Sequence, residues 1–477
     1  MKTSLLILLI VASFTLHAQE FNYSLNGVGS RSNMLAGAVT AGVRDNSAIF
    51  YNPAGLAFIE NSSLSVSSNG YYLGMFNAQN AVGSGLDLKS TTIDGLPQIV
   101  SFIQKIPHLP ISLTLAMVNR HYSNIRTSYR NEMLYDVLEG NAGEELYVGS
   151  FSYYSKIRED WVGFGYGKKF SQNIGLGIST FVSYRNHSYF LDESADVYSV
   201  QNDTVENQLL SNTRFSEELE YRDFGLIFVI GGTYEVNGVK LGIKITTPRV
   251  NLGFVSKSEL KRNIYRNNPE FEPEITKISV WQVRVPSRYR SPLEIDLGAN
   301  FRLDDINTLH AKLAFSSRVR PYEILKENLA EENNSSVELP NGIGKYDNMT
   351  LANKPVLNAA VAIQRLLSDK FEVIVGFRTD FNYLDEEKLD IKEDFVPGKL
   401  TLDLYHFSGG IIWKTEKYDL SLGGSFSFGY RNNARQFVNL SEPLVSNDLF
   451  GIPANIARPF YSQIGAFLGF TYFFPRI

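Results

Sequence analysis

Asp45-Asn46-Ser47-Ala48-Ile49-Phe50-Tyr51-Asn52-Pro53-Ala54-Gly55-Leu56-Ala57 stands after an apolar N-terminal run and before a long series of alternating segments. Asn52 is a favoured helix N-cap. Pro53 suits the first helical position, where a missing N–H leaves nothing unpaired, and Ala54 to Ala57 continue one short turn. Upstream, Phe21 to Val43 is rich in Gly, Ser, Asn and Ala and alternates poorly, which predicts compact irregular backbone instead of a strand. Its small residues Gly37, Ala38, Ala41 and Gly42 allow close backbone packing in a confined space. The stretch reads as a plug ahead of a barrel. The plainer alternative is an Asn-Pro-Ala-Gly turn leading into a strand.

Composition favours β structure. Aromatics make up 13% of the 477 residues, with 26 Tyr, 32 Phe and 37 Gly; rings suit pleated surfaces and glycines mark turns and bends. The net charge of −5 is small and mixed in sign, so no nucleic-acid partner is expected. Met1-Lys2, the apolar run Leu5 to Leu16 and His17-Ala18 have the three regions of a secretory signal peptide, giving an expected signal over residues 1–18. With no Cys in the chain, a lipid-anchored lipoprotein, a disulfide and a thiolate metal site are excluded. Beyond the signal there is no apolar run long enough for a membrane helix.

From Ser62 onward, apolar residues recur at every second position. Ile111, Leu113, Leu115 and Met117 face away from Ser112, Thr114, Ala116 and Val118; Val239, Leu241, Ile243 and Ile245 alternate with Lys240, Gly242, Lys244 and Thr246. Leu293 to Arg302, Leu309 to Ser316, Phe371 to Arg378 and Tyr418 to Phe428 behave alike. Period two means strand. The segments are longer than strands of a soluble sandwich, and one apolar plus one polar face is what a transmembrane barrel requires. Six short turns (Pro107 to Pro110, Phe170 to Asn173, Val236 to Gly238, Asp304 to Ile306, Ser368 to Lys370, Glu416 to Tyr418) alternate with seven long polar loops (near Asn77 to Gly95, Ser123 to Glu145, Leu191 to Phe215, Ser256 to Tyr289, Pro321 to Asn353, Leu384 to Gly398 and Asn433 to Phe460), which gives fourteen antiparallel strands. That even number brings both chain ends to one side. The aromatic-rich Tyr461 to Phe474 closes the ring. The expected division is signal peptide 1–18, N-terminal hatch 19–61 and barrel 62–477. Glu327 to Ser336, acidic and Asn-rich, reads as a solvated loop and not a metal site.

Asn52-Pro53-Ala54 behind a Gly/Ala-rich plug and ahead of fourteen strands resembles the FadL/TodX family of outer-membrane hydrophobic-compound transporters. The likeness is strongest over Ser32 to Ala57, in Ala36-Gly37-Ala38, Asp45-Asn46-Ser47-Ala48 and Phe50 to Leu56, with a weaker echo in Leu241 to Pro248. The resemblance implies a monomeric barrel in the outer membrane of a Gram-negative bacterium. It also implies a hatch carrying Asn52, Pro53 and Ala54, and passive passage of hydrophobic compounds such as fatty acids through the wall into outer-membrane lipid. A kink in the third strand makes the family's side opening, yet Ile111 to Tyr122 contains neither Gly nor Pro to permit one.

Lumenal charges at Lys244, Arg302, Lys312 and Arg378 are candidate contacts for a ligand carboxylate, against a purely structural network that also takes in Lys240, Glu294, Asp296, Glu372 and Asp380. No cofactor and no metal are expected. An outer-membrane hydrolase would need Ser, His and an acid; His406 and Ser408 lie two apart on one strand, about 7 Å from each other and too far for direct proton transfer. Gly423-Gly424-Ser425-Phe426-Ser427 lacks the closing Gly of a nucleophile elbow, and Gly27-Val28-Gly29 follows no strand. An adaptor barrel in a protein-export system is the other reading.

Overall fold

A computed structural model of the chain describes residues 21–23, 27–106, 109, 111–141, 143–201, 204–253, 255–270, 272–325, 349–389 and 401–475. The expected signal peptide, three residues of the turn at 107–110 and the acidic stretch Glu327 to Ser336 lie outside these residues.

The alternating segments form one closed antiparallel barrel. Its first six staves are β1 (Ser63–Gln79), β2 (Leu88–Lys105), β3 (Ile111–Tyr135), β4 (Glu145–Lys169), β5 (Ile174–Gln201) and β6 (Thr204–Val236). The seventh runs alongside β6 in three pieces, β7 (Val239–Thr246), β8 (Val250–Asn251) and β9 (Lys257–Asn268). The eighth combines β10 (Glu272–Val285), paired with β9, and β11 (Glu294–Arg302), paired with β7. β12 (Asn307–Ser316) continues into β13 (Val319–Leu325), and β14 (Met349–Asn353) leads into β15 (Val356–Ser368). β16 (Phe371–Asp380), β17 (Leu404–Lys414), β18 (Tyr418–Tyr430) and β19 (Arg458–Phe473) complete fourteen staves. β19 pairs with β1 from Ser63↔Phe473 to Gln79↔Arg458, so no edge is left at the join. No described helix is long and apolar enough to cross a membrane.

Exposure follows the alternation. Leu115 (59%), Leu241 (46%), Leu297 (52%), Val375 (56%), Leu422 (62%) and Leu468 (56%) point outward, whereas Lys244, Asp296, Glu372 and Arg378 are buried inside. An apolar outer belt with the charges enclosed is the reverse of a soluble barrel and the arrangement a lipid solvent demands. Stacked rings edge the belt, Phe371 on Trp413 toward the short turns and Phe407 on Phe428 toward the other end.

The long connections differ from expectation. β5 and β6 keep pairing from Ile174↔Tyr234 to Gln201↔Thr204, so Leu191 to Gln201 and Thr204 to Phe215 are strand and not loop; most of Ser123 to Glu145 and Ser256 to Tyr289 is strand as well. Above the belt, water meets the outer face of this ribbon, and its outward side chains (Asn186, Ser188, Asp192, Arg214, Glu218) give no apolar row to read.

Candidate functional site

Residues 27–59 lie inside the barrel. Two short helices, α1 (Ser30–Met34) and α2 (Ala48–Tyr51), and a 3-10 helix over Pro53–Phe58 are linked by tight turns. The α1 turn departs from the irregular backbone expected for Phe21 to Val43. It begins after Gly29 at φ 81°, where Asn33 N donates to Gly29 O (2.9 Å), and ends in left-handed Ala36 and Gly37. Its Ser-Arg-Ser-Asn-Met sequence has no apolar face because polar wall surrounds it; Ser30, Ser32, Asn33 and Met34 are all buried.

Asn52 ties the segment to itself and to the wall. Its Oδ1 accepts from Ala54 N (3.1 Å), capping the 3-10 helix with Pro53 at its start, while its Nδ2 donates to Thr40 O (2.6 Å) and to Gly232 O of β6 (3.1 Å). One side chain thereby satisfies three backbone groups that would otherwise be buried unpaired. Ala54 is fully buried.

Close docking depends on a ring of wall glycines. A Cβ added at Gly231 would collide with Asn52 Oδ1, at Gly177 with the Pro53 carbonyl and at Gly242 with the Thr40 carbonyl. At Gly298 it would come within 2.8 Å of Ala41 N, and at Gly376 within 2.9 Å of Ala36 Cβ. Sequence reading assigned glycines to turns and bends. The missed signal is their recurrence on the polar face of strands, as in Gly163, Gly165 and Gly167 or Gly175 and Gly177, where a hydrophilic lumen would ordinarily carry side chains.

Of the four lumenal cations singled out, the structure brings three together beside this segment. Lys244 Nζ lies 3.1 Å from Asp296 and 3.8 Å from Glu294, and Lys312 Nζ lies 3.7 Å from Asp296. Lys312, Tyr51 and Arg378 all come within 4.0 Å of where a Cβ on Gly37 would stand. Arg302 stands apart near a short turn, mostly exposed and paired with Asp305 at 2.8 Å. On the other side Arg31 bridges Glu372 (3.2 Å) and Gln364 (2.7 Å), and Lys414 reaches Glu372 at 2.6 Å. Between segment and short turns remains a polar cavity of about 580 Å³. Toward the other end the lumen is lined by Phe21, Tyr23, Tyr153, Tyr189, Tyr221, Tyr289, Tyr322 and Tyr383 with Leu and Ile between them.

The wall has a seam between β2 and β3. β2 and β3 pair only from Lys105↔Ser112 to Ile99↔Val118. These seven pairs are fewer than the ~9–11 residues that cross a bilayer, so the seam begins within the apolar belt. Beyond it, among the described residues, no ladder joins Leu88–Gln98 to Asn119–Tyr135. Asp94 spans the gap instead, accepting from Tyr72 OH (3.3 Å) and Asn124 Nδ2 (3.1 Å), and Thr127 Oγ1 donates to Lys89 O (3.1 Å). The absence of Gly and Pro from Ile111 to Tyr122 does not prevent the separation. β3 carries a bulge at Arg120, between the pairs Asn119↔Asp160 and His121↔Glu159, while the β1–β2 register slips around Asn69–Tyr72, opposite Asp94-Gly95-Leu96-Pro97. The extra residue flips β3's phase: Leu113, Leu115 and Met117 point out, yet Ile125 points in. The Arg120 side chain enters the lumen, donating to the Tyr23 carbonyl, lying 3.5 Å from Glu294 and covering Phe50 and Trp161.

His406 does not meet Ser408, whose Oγ donates to Met34 O (3.1 Å). It meets Ser427 on the neighbouring strand, with Nδ1 and Oγ 2.7 Å apart, and Asp380 lies 3.8 Å from Nε2. All three are buried, and His406 and Ser427 border a void of about 20 Å³. A void of that size holds about one water and admits no ester.

The fold is shared with solved structures at low sequence identity. The chain is similar to a FadL homologue of Pseudomonas aeruginosa, with 14% identity over 97% of this chain and 100% of that one and a TM-score of 0.59. It is similar to the Pseudomonas putida toluene transporter TodX (12%, 96% and 100%, TM-score 0.54) and the Ralstonia pickettii toluene transporter TbuX (11%, 95% and 100%, TM-score 0.54). No protein-family model and no curated protein sequence matches it. The architecture is thus of FadL/TodX type.

Proposed function

We propose that this barrel is an outer-membrane channel for the passive uptake of hydrophobic or amphipathic compounds, with residues 19–61 as its hatch and the β2–β3 seam as its side exit. The carrying observation is a lumen filled by residues 27–59 beside a wall whose ladder stops inside the apolar belt. A straight axial route would displace a segment packed against wall backbone on nearly every stave, whereas the seam is held by a few side-chain bonds. Two proteins of the same fold are toluene transporters, and the Tyr- and Leu-lined upper lumen suits an apolar guest. Lys244, Lys312 and Arg378 are placed to meet an acidic head, as of a long-chain fatty acid. Residues 1–18 direct export, and the closed ring, which has no sheet edge at its join, works as a monomer in the outer membrane of a Gram-negative cell.

Because the chain has no Cys, Asp94→Cys with Asn124→Cys introduces the sole thiol pair. Bridging it with a cleavable bis-maleimide should stop uptake of a hydrophobic fluorescent probe into proteoliposomes, and cleaving the bridge should restore it. Uptake indifferent to the bridge would overturn the side exit.

A further inference from the structure

Outside the barrel, the seam opens into a cleft of about 450 Å³ between β2 and β3, lined by Lys89, Arg126, Thr91, Thr127, Ser128 and Tyr154. Further hydroxyls come from Ser90 and Thr92, and the amide of Asn124 completes the lining. The cleft begins beside Ile93, which is 68% exposed, so it lies where the apolar surface gives way to the polar layer.

Its chemistry is one-sided. No carboxylate lines it, and neither Lys89 nor Arg126 has an ion pair among the described residues. By contrast, Arg158 on the neighbouring strand pairs with Asp160 at 2.6 Å and Arg130 further along β3 with Glu132 at 2.6 Å, while Lys156, opposite Asn124, lies over the Tyr122 ring. The nearest acid, Asp94, is occupied by Tyr72 and Asn124. Two cations in one concavity with hydroxyl-bearing residues such as Thr91, Ser128 and Tyr154 fit a doubly charged group with several acceptor oxygens. Arg and Lys are the side chains that hold phosphate, and hydroxyls serve both phosphate and sugar. A carboxylate would neutralise one cation and leave most donors unused.

We propose that this cleft binds the phosphorylated sugar head of an outer-leaflet glycolipid, with its acyl chains lying along the β1–β2 surface at Tyr71 and Ile93, 73% and 68% exposed. The inference rests on the outer-membrane placement, but not on uptake. Since Asn124 belongs both to the cleft and to the Asp94 bridge, the bound head sits on the closure of the seam.

The test uses the full-length barrel in phosphatidylcholine nanodiscs containing bisphosphorylated lipid A or its enzymatically dephosphorylated form, with retained lipid read by native mass spectrometry. The wild type should retain the phosphorylated form at least tenfold better, and Lys89→Gln with Arg126→Gln should abolish that preference. Both residues are exposed, so folding should persist, as checked by heat-modifiable migration. Lys257→Gln with Lys261→Gln removes equal charge elsewhere on the outer face and should change nothing. Equal retention of the two lipids, or a preference unaltered by the cleft variant, would overturn the proposal. So would displacement by millimolar inorganic phosphate, which marks a free-anion site, or by palmitate, which marks a cargo site. The readout is lipid retention, so failure here leaves the uptake reading intact.

Discussion

The side chain of Asn52 rests directly on the Cα of Gly231. A Cβ on Gly231 would occupy the place of Asn52 Oδ1, the atom that caps the Pro53–Phe58 turn. Segment and wall are thus fitted to one another at the scale of a single methyl group.

Gly231→Val should therefore dislodge the segment without opening the strand ladder, since β6 and β5 still pair at Gly231↔Gly177. Leakage of a small polar dye from proteoliposomes should rise while heat-modifiable migration persists. Asn52→Ala with Pro53→Gly should act in the same direction, removing roughly 1–2 kcal/mol of local order. An intact barrel with unchanged leakage in both variants would reduce Asn52-Pro53-Ala54 to an ordinary turn.

Leu241→Arg and Leu297→Arg place charge on the lipid face near mid-membrane and should cost about 2–4 kcal/mol each. Lys240→Leu, on a residue turned toward Glu235 at 3.3 Å, should cost far less. Folding titrations into lipid vesicles compare them, and equal losses at 240 and 241 would contradict the assignment of faces.

Arg120 joins the β3 bulge to Tyr23 and faces Glu294 across the lumen. Arg120→Gln should raise amide exchange at β3 residues 119–124 and at 21–23 together, because a half-satisfied buried network costs on the order of 1–3 kcal/mol. Exchange increased at one region alone would show that bulge and segment are not linked.

Glu386 clamps the connection between β16 and β17 to Arg431, with bonds of 2.6 and 2.9 Å, and accepts from Thr401 Oγ1 at 2.6 Å. Burial pushes its carboxyl up, but the Arg431 and Thr401 hydrogen bonds and the Arg431 and Lys354 charges outweigh burial and hold it below the usual carboxylate range. A depressed folded value means that the clamp is at full strength above the unfolded carboxylate pKa of about 4.3 and is lost as pH falls through the lower, folded value. Both side chains are about a third exposed, so the contribution is at most about 1 kcal/mol. Amide exchange at 384–389, corrected for intrinsic rates, should rise below pH ~4 in the wild type. Glu386→Gln should abolish that step; a step that survives would place its origin elsewhere.

Uptake should need no energy source. Probe entry into cells should survive collapse of the proton-motive force, and loss of entry on collapse would contradict the passive mechanism.

The strands were legible where lipid forces a contrast. Ile174, Leu176, Ile178 and Val182 mark β5 because an apolar solvent meets one face and polar lumen the other. The contrast vanishes above Tyr184, where His187, Tyr189 and Leu191 point inward but water bathes Asn186, Ser188 and Asp192, so the end of the strand from Leu191 to Gln201 reads as loop. Asn52 and Pro53 were readable because capping is local chemistry. Their contacts with Gly232, Thr40 and Gly231 join positions far apart in sequence, and no single segment encodes them. The seam is a missing partner, which no strand's own residues record. Its one trace in the sequence is parity, since outward Met117 and inward Ile125 are both odd-numbered and cannot share a regular strand.

The closure of β19 on β1 sets the order of assembly. Residues 27–59 precede every strand in the chain, yet Asn52 needs β6, Ser408 of β17 holds Met34, and Ser30 packs on Gly469 of β19. A segment synthesised ahead of the staves is therefore the last to find its native contacts, and it waits on a pairing that spans about four hundred residues, from Ser63 to Phe473. The ordering of α1 is accordingly a reporter of ring closure, and an insertion machine that delivers an unclosed sheet to the membrane delivers it with its interior still empty.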